Sequence, residues 1–160
     1  MDKMNNNINR IKYWLLKTEP ETFSIDDLKN KKVEPWTGVR NYQARNIMRD
    51  QMSVGDICFF YHSSCAIPGI VGTCEVVKVN IIDETQFDEK SKYFDPKSKK
   101  EKPIWICAEV KFVKKFKNII SLADLRKQKF LQNMVLLQKG SRLSVQPVLK
   151  EEFDYIMNML

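Results

Sequence analysis

The segment Glu34-Pro35-Trp36-Thr37-Gly38-Val39-Arg40-Asn41-Tyr42-Gln43-Ala44-Arg45 sets an indole, a guanidinium and a carboxamide side by side. Trp36 follows Pro35 in a turn-rich stretch, so it is expected to be only partly covered, with an aromatic face that can stack on a nucleobase. Arg40 offers a fork of donors to a phosphate or a base edge, and Asn41 both donates and accepts against a base edge. The start of the following helix favours an anion nearby. The same residues fit a plainer reading equally well: a Trp that plugs the end of a barrel, and an Arg held in a structural ion pair. The spacing leaves both open. A second cluster, Lys139-Gly140-Ser141-Arg142-Leu143-Ser144-Val145-Gln146-Pro147-Val148, is a Gly- and Ser-containing loop with two cations that leads into a short strand. It reads as a turn with solvated charge, or as a set of phosphate contacts.

Catalysis finds less support. In Tyr61-His62-Ser63-Ser64-Cys65 a thiol or hydroxyl lies near an imidazole, the raw material of an activated nucleophile. Residues three apart in an extended chain point to opposite faces, and no third, orienting carboxylate is identifiable. His62 is therefore expected to be structural. Asp26 and Asp27 sit where the first turn of a helix wants negative charge, which accounts for them, and no partner for Glu19 is evident. Gly69-Ile70-Val71-Gly72 matches the G-x-x-G of backbone-clamping loops, but it lies inside an apolar strand, where glycines mark a bulge or a close approach. No P-loop or dinucleotide fingerprint occurs. The four cysteines contain no C-x-x-C and His62 is the sole histidine, so no metal and no cofactor is expected.

The elements that must position these residues follow from periodicity. Ile11 to Leu16 is a β-prone run, and Ser24-Ile25-Asp26-Asp27 has the form of a capping box that opens a short helix. Asn41 caps a second helix in which Ala44, Ile47 and Met48 share one face, with Arg45 and Arg49 on another. Ile57 to Tyr61 is an unbroken apolar strand covered on both sides. Ile70 to about Val79 and the alternating stretch from Ile104 to Phe116 are further strands. Between them the charge-dense Asp88 to Lys102 reads as a long exposed loop. Ser121 repeats the capping pattern, and Phe153, Ile156, Met157 and Leu160 form the stripe of a last helix. Together these give an α+β domain built round a curled sheet.

Bulk properties agree with one domain. The chain has 160 residues, 43% hydrophobic and 29% charged, which suffices for a core without disulfides. Its 27 basic and 20 acidic side chains give a net charge of +7, which attracts polyanions. Residues 1–10 read as a loose, polar leader, and 11–160 as the domain. No apolar run nears the roughly 20 residues that a membrane span needs. A reduced cytoplasmic setting is expected for the cysteines.

In order along the chain, several of these segments resemble the EVE domain family. They are Tyr13-Trp14-Leu15-Leu16-Lys17-Thr18-Glu19-Pro20, Ser24 to Leu28, Trp36 to Asn46, Gly55-Asp56 with Phe59 to Ser63, Pro68 to Gly72, Tyr93-Phe94-Asp95-Pro96-Lys97, and Arg142 to Val148. The resemblance implies a PUA-like fold, a small curved β-barrel with flanking short helices. It further implies binding of DNA or RNA that carries a modified base, 5-methylcytosine or an oxidised derivative, taken out of the stack into an aromatic pocket. Carried over by position, that pocket involves Trp14, Lys17, Thr18, Glu19 and Trp36, then Val39, Arg40, Asn41 and Ser63, and finally Arg142, Leu143, Ser144 and Val145. Trp36 or Trp14 would stack on the base, while Arg45, Arg49 and Lys139 would hold phosphates with Arg142. Three positions depart from the family pattern: Thr37 stands where an acid is usual, Ser64 where Asn is common, and Leu149 where Thr usually starts the last helix, which weakens a cap. The expected protein is a non-enzymatic, monomeric reader with nucleic acid as partner, in the bacterial cytosol or nucleoid, or the nucleus of a eukaryote. The competing readings are an enzyme acting on nucleic acid or a nucleoside-like ligand, and a protein-interaction module with a vestigial pocket.

Overall fold

A computed structural model describes residues 10–160; apart from an exposed Arg10, the expected leader lies outside the described residues. The sheet has six strands in the order β2-β5-β4-β3-β1-β6. β1 (Tyr13–Thr18) runs parallel to β3 (Ile57–His62), with Tyr13 opposite Ile57 and Thr18 opposite His62, and antiparallel to β6 (Val145–Val148). β3, β4 (Gly69–Ile82) and β5 (Ile106–Ser121) form an antiparallel meander, and β2 (Val33–Pro35) adds to the outer edge of β5. The sheet is curved by register shifts along the β4–β5 pair but does not close: β2 and β6 are its two ends. The barrel expected from the resemblance is thus an open, mixed sheet of the same α+β, PUA-like class.

Parallel neighbours cannot be joined by a tight turn. Residues 19–56 therefore form a crossover, and this segment carries most of the candidate site. It contains α1 (Ile25–Lys31), β2 and the single-turn α2 (Tyr42–Asn46), which continues as a π turn at Ile47–Gln51. Ser24 accepts from the Asp27 N–H while Asp27 accepts from the Ser24 N–H, completing the capping box. Asn41 caps α2 by accepting from the Ala44 N–H at 2.9 Å.

The apolar runs of β1 and β3 are explained by burial on both faces. Trp14, Leu16, Cys58 and Phe60 join one core beneath the crossover, with Ile25, Leu28, Ala44 and Met48. Leu15, Phe59 and Tyr61 join the other, beneath α3 (Leu122–Arg126) and α4 (Lys150–Met157), with Leu125, Leu131, Met134 and Ile156. Gly69 and Gly72 sit where β4 meets β5 so closely that a Cβ would strike the backbone of Ile120 and Lys114. The G-x-x-G is a strand-packing feature. The C-terminal stripe stops short of Leu160, which lies past α4 and is exposed. No helix among the described residues is long and apolar enough to cross a membrane.

Candidate nucleic-acid interface

A cavity of about 700 Å³ opens over the crossover face of the sheet, within the range of small-molecule and cofactor sites. Its wall is Trp36. The indole packs edge-on against Phe60, with centroids 5.6 Å apart, and against Phe23 at 6.1 Å. Only 7% of Trp36 is exposed, so it is more deeply set than its turn-rich neighbourhood predicts. Further lining comes from the loop between β4 and β5. Tyr93 lies directly against Gly38, whose Cβ, if present, would stand 2.7 Å from the ring. Gly38 has φ +84, a left-handed conformation that also favours glycine.

One arginine fixes this geometry. Arg40 donates from Nε to the Tyr93 carbonyl at 2.9 Å, and from Nη2 to the same carbonyl and to Thr85 Oγ1. Its Nη1 donates to the Val39 carbonyl and, at 3.0 Å, to Asp83 Oδ2. A guanidinium has five N–H donors, and five bonds are made. Arg40 is therefore fully engaged by the protein, and the structural reading of this residue prevails over phosphate or base contact. The buried Asp83 also accepts from the Gly38 N–H at 2.8 Å and from the Thr85 N–H. The loop itself is fastened by Gln86, whose amide donates to the Asp83 and Trp105 carbonyls and accepts from the Ile104 and Trp105 N–H groups. Trp105 in turn donates to Asp95 at 2.8 Å. That bond, with the Lys97 N–H after it, holds the Asp95 carboxyl below the usual carboxylate range. Residues 88–102 form the expected exposed loop, and the buried Asp83, Gln86 and Trp105 just outside it anchor its two ends.

Around the mouth stand Lys17, Lys31, Lys92 and Arg142, against Glu19 and Glu34. Lys31 is paired with Glu34 at 3.2 Å. Lys17 is half-buried, and loss of water lowers its pKa. An anion in the cavity would restore the stabilisation of its charge.

Residues 12–159 match the EVE domain family. The chain belongs to that family. Human thymocyte nuclear protein 1 is 42% identical over 92% of this chain and 73% of its own length. A protein of Leishmania major superposes with a TM-score of 0.90 at 51% identity, covering 94% of both chains. A crystal structure of human THYN1 in complex with 5-methylcytosine-containing DNA gives a TM-score of 0.86 at 41% identity, covering 92% of this chain and 96% of that one.

In this EVE domain the cavity gathers Lys17, Thr18, Glu19, Trp36 and Val39, the engaged Arg40, and Ser63, Arg142 and Ser144. Four of the residues carried over from the resemblance stand elsewhere. Trp14 is buried in the same core as Trp36, and its indole N–H donates to Asp56 at 2.9 Å. It does not line the cavity, so Trp36 is the indole of the pair that does. Asn41 is occupied in capping α2. Val145 is buried in β6 opposite Leu16, and Leu143 packs against the core. Lys139 is exposed and lines neither this cavity nor a second one, which Arg45 and Arg49 line.

Tyr93 and Lys92 were missed by reasoning from residue types, because the charge density of their loop reads as solvent-exposed. An isolated aromatic inside a family-like motif was the available signal. Ser64, which departs from the family's Asn, lines the cavity with φ +52, a conformation in which Asn is strongly enriched. His62 accepts at Nε2 from the Ile25 N–H at 3.1 Å, and burial lowers its pKa. It is a structural neutral imidazole, not half of a dyad with Cys65. Cys58, Cys74 and Cys107 are buried free thiols; burial pushes Cys107 up to about 12.

Proposed function

We propose that this protein is a non-catalytic reader that binds nucleic acid and holds one modified base, 5-methylcytosine or an oxidised derivative, in the Trp36–Tyr93 cavity. The observation that carries the proposal is that cavity: preformed, walled by aromatic rings, large enough for a planar heterocycle, and rimmed mainly by cations. The DNA-bound human relative supports nucleic acid as the partner and 5-methylcytosine as the first base to test.

In this reading the base enters beside Trp36 and Tyr93. The backbone at Val39, with the Ser63 hydroxyl and the Ser144 region, reads its polar edge. Lys17, Lys92 and Arg142 meet the adjoining phosphates, and Glu19 and Thr18 border the entrance. Removing a base from the stack costs a few kcal/mol, offset by aromatic contact and hydrogen bonds in the pocket.

The test is a binding panel of oligonucleotides, in DNA and RNA, that differ only in cytosine modification. Trp36→Ala would hollow the core that Trp36 shares with Phe23 and Phe60, so Trp36→Phe and Tyr93→Ala are the informative variants. Loss of one base–aromatic contact, about 1–3 kcal/mol, should lower affinity for the modified strand by about tenfold and leave plain DNA nearly unaffected. Equal losses on both strands would refute the pocket assignment.

A further inference from the structure

Arg45 and Arg49 do not approach the base cavity; they line a separate one of about 520 Å³. Lys97, Lys99 and Lys102 complete its charged lining, over an apolar floor that includes Ile104 and Ile106. Five cations converge and no carboxylate lines the space. Arg49 is paired with its neighbour Asp50, but none of the three lysines makes a salt bridge among the described residues. Like charges gathered without counter-charge repel, and a bound polyanion relieves that repulsion.

The lysines are presented by ordered backbone. Lys99 and Lys102 pair across a tight antiparallel bridge, with the Lys102 N–H donating to the Lys99 carbonyl at 2.9 Å. Arg45 is likewise held: its Nη1 donates to the Ile104 carbonyl at 3.0 Å, and its guanidinium lies 4.9 Å from the centre of the Tyr42 ring.

The position of this cleft identifies its occupant. Trp105 is a shared neighbour of one arginine from each cavity. The Arg40 guanidinium carbon lies 5.0 Å from the Trp105 ring and that of Arg45 lies 5.9 Å from it. One buried indole thus touches an arginine of each site and keeps those two guanidinium groups close together. The same β4–β5 loop supplies Tyr93 to the first and the three lysines to the second. The two sites are separated by no more than a few nucleotide steps of a strand.

We infer that this cleft holds backbone phosphates of the same nucleic-acid strand whose base enters the Trp36–Tyr93 cavity, as a subsite blind to sequence and to modification. The inference rests on the reader proposal for its choice of strand. Phosphate contacts position a strand without reading it, and each contact releases condensed counterions.

The experiment measures affinity of the full chain for modified and plain oligonucleotides across a salt series, in wild type, Lys97→Gln/Lys99→Gln/Lys102→Gln, and the charge-preserving Lys97→Arg/Lys99→Arg/Lys102→Arg. Each lost contact removes about 0.7–0.9 from the slope of log affinity against log salt. The glutamine variant should therefore show a slope shallower by about 2 to 3 and bind both strands at least tenfold more weakly, with the ratio between them unchanged. The arginine variant should keep the wild-type slope. An unchanged slope in a glutamine variant with a wild-type melting curve overturns the inference. A slope lost on the modified strand alone overturns it too. A wild type that binds both strands equally sinks the reader proposal and leaves the slope comparison to judge the cleft by itself. Calorimetry with inorganic pyrophosphate, and with an acidic peptide, completes the panel. Saturable binding of either that the glutamine variant abolishes, beside an unaltered DNA slope, reassigns the cleft to that ligand and overturns the strand path.

Discussion

Replacing Gly38 with alanine perturbs the pocket at one defined atom. Two costs are separable. A left-handed φ of +84 penalises any L side chain, by about 1–2 kcal/mol. The new Cβ would also stand 2.7 Å from two carbons of the Tyr93 ring, and forcing a group into packed surroundings adds about 1–3 kcal/mol. Gly55 supplies the control. Its φ is +99, and nothing lies within 4 Å of a built Cβ, so Gly55→Ala bears the backbone cost alone. For a chain of this size, 1 kcal/mol shifts the melting temperature by about 2–4 °C. At about 3 °C per kcal/mol, Gly55→Ala should then lower it by about 3–6 °C and Gly38→Ala by about 6–15 °C. Calorimetry or a circular-dichroism melt reads the difference. Because the ring must move, Gly38→Ala should also weaken binding of modified DNA while Gly55→Ala does not. Equal melting temperatures in the two variants would refute the claim that Tyr93 is pressed against this glycine, and with it the placement of the pocket's outer wall.

Asp56→Ala should cost about 4 kcal/mol in urea unfolding, since it strands the buried Trp14 N–H and the Ser53 N–H, both of which donate to the same carboxylate oxygen at 2.9 Å; a loss below 1 kcal/mol would show that the indole finds another acceptor. Ser64→Asn should be neutral or raise stability by up to about 1 kcal/mol, because Asn tolerates φ +52 better than Ser, and a clear destabilisation would place a specific Ser64 contact in the native state. His62, whose pKa burial lowers from 6.5, is harder to protonate folded than unfolded. Its contribution is complete above pH 6.5 and falls away as the pH drops through the lowered folded value. His62→Gln should flatten the stability profile in that window, and an unchanged profile would discount the Ile25–His62 bond.

Local signals in the sequence located what local forces decide. Ser24, Asn41 and Ser121 each cap the helix that their spacing announces, because a cap needs only its next three residues. The apolar runs of β1 and β3 announced burial on both faces for the same reason. What stayed hidden depends on contacts far apart in the chain. Nothing near Arg40 declares that its donors are taken by Asp83, Thr85 and Tyr93, the last 53 residues away. Nothing near Trp14 declares Asp56, 42 residues on. Two indoles matched one family pattern, and only tertiary packing buries Trp14 against Asp56 within the core while Trp36 of the same core borders the cavity. The exposure of residues 88–102 was legible from their charge, but composition averages over a loop and could not single out Tyr93, which borders the cavity.

The saturated guanidinium of Arg40 has a consequence for discrimination. With every donor already committed, any reshaping of the aperture that moves the loop away from the crossover must break hydrogen bonds of Arg40. Ordering is completed during folding rather than on encounter, so a correct guest incurs little further entropy loss. In the proposed reader, selectivity would then work by refusal: a substituent one methyl too large, or a polar group facing the wrong donor, would meet walls already fastened to one another. Such a rigid gauge separates close chemical cousins by modest factors when they differ by a methyl and by large ones when they differ by a hydrogen-bonding group.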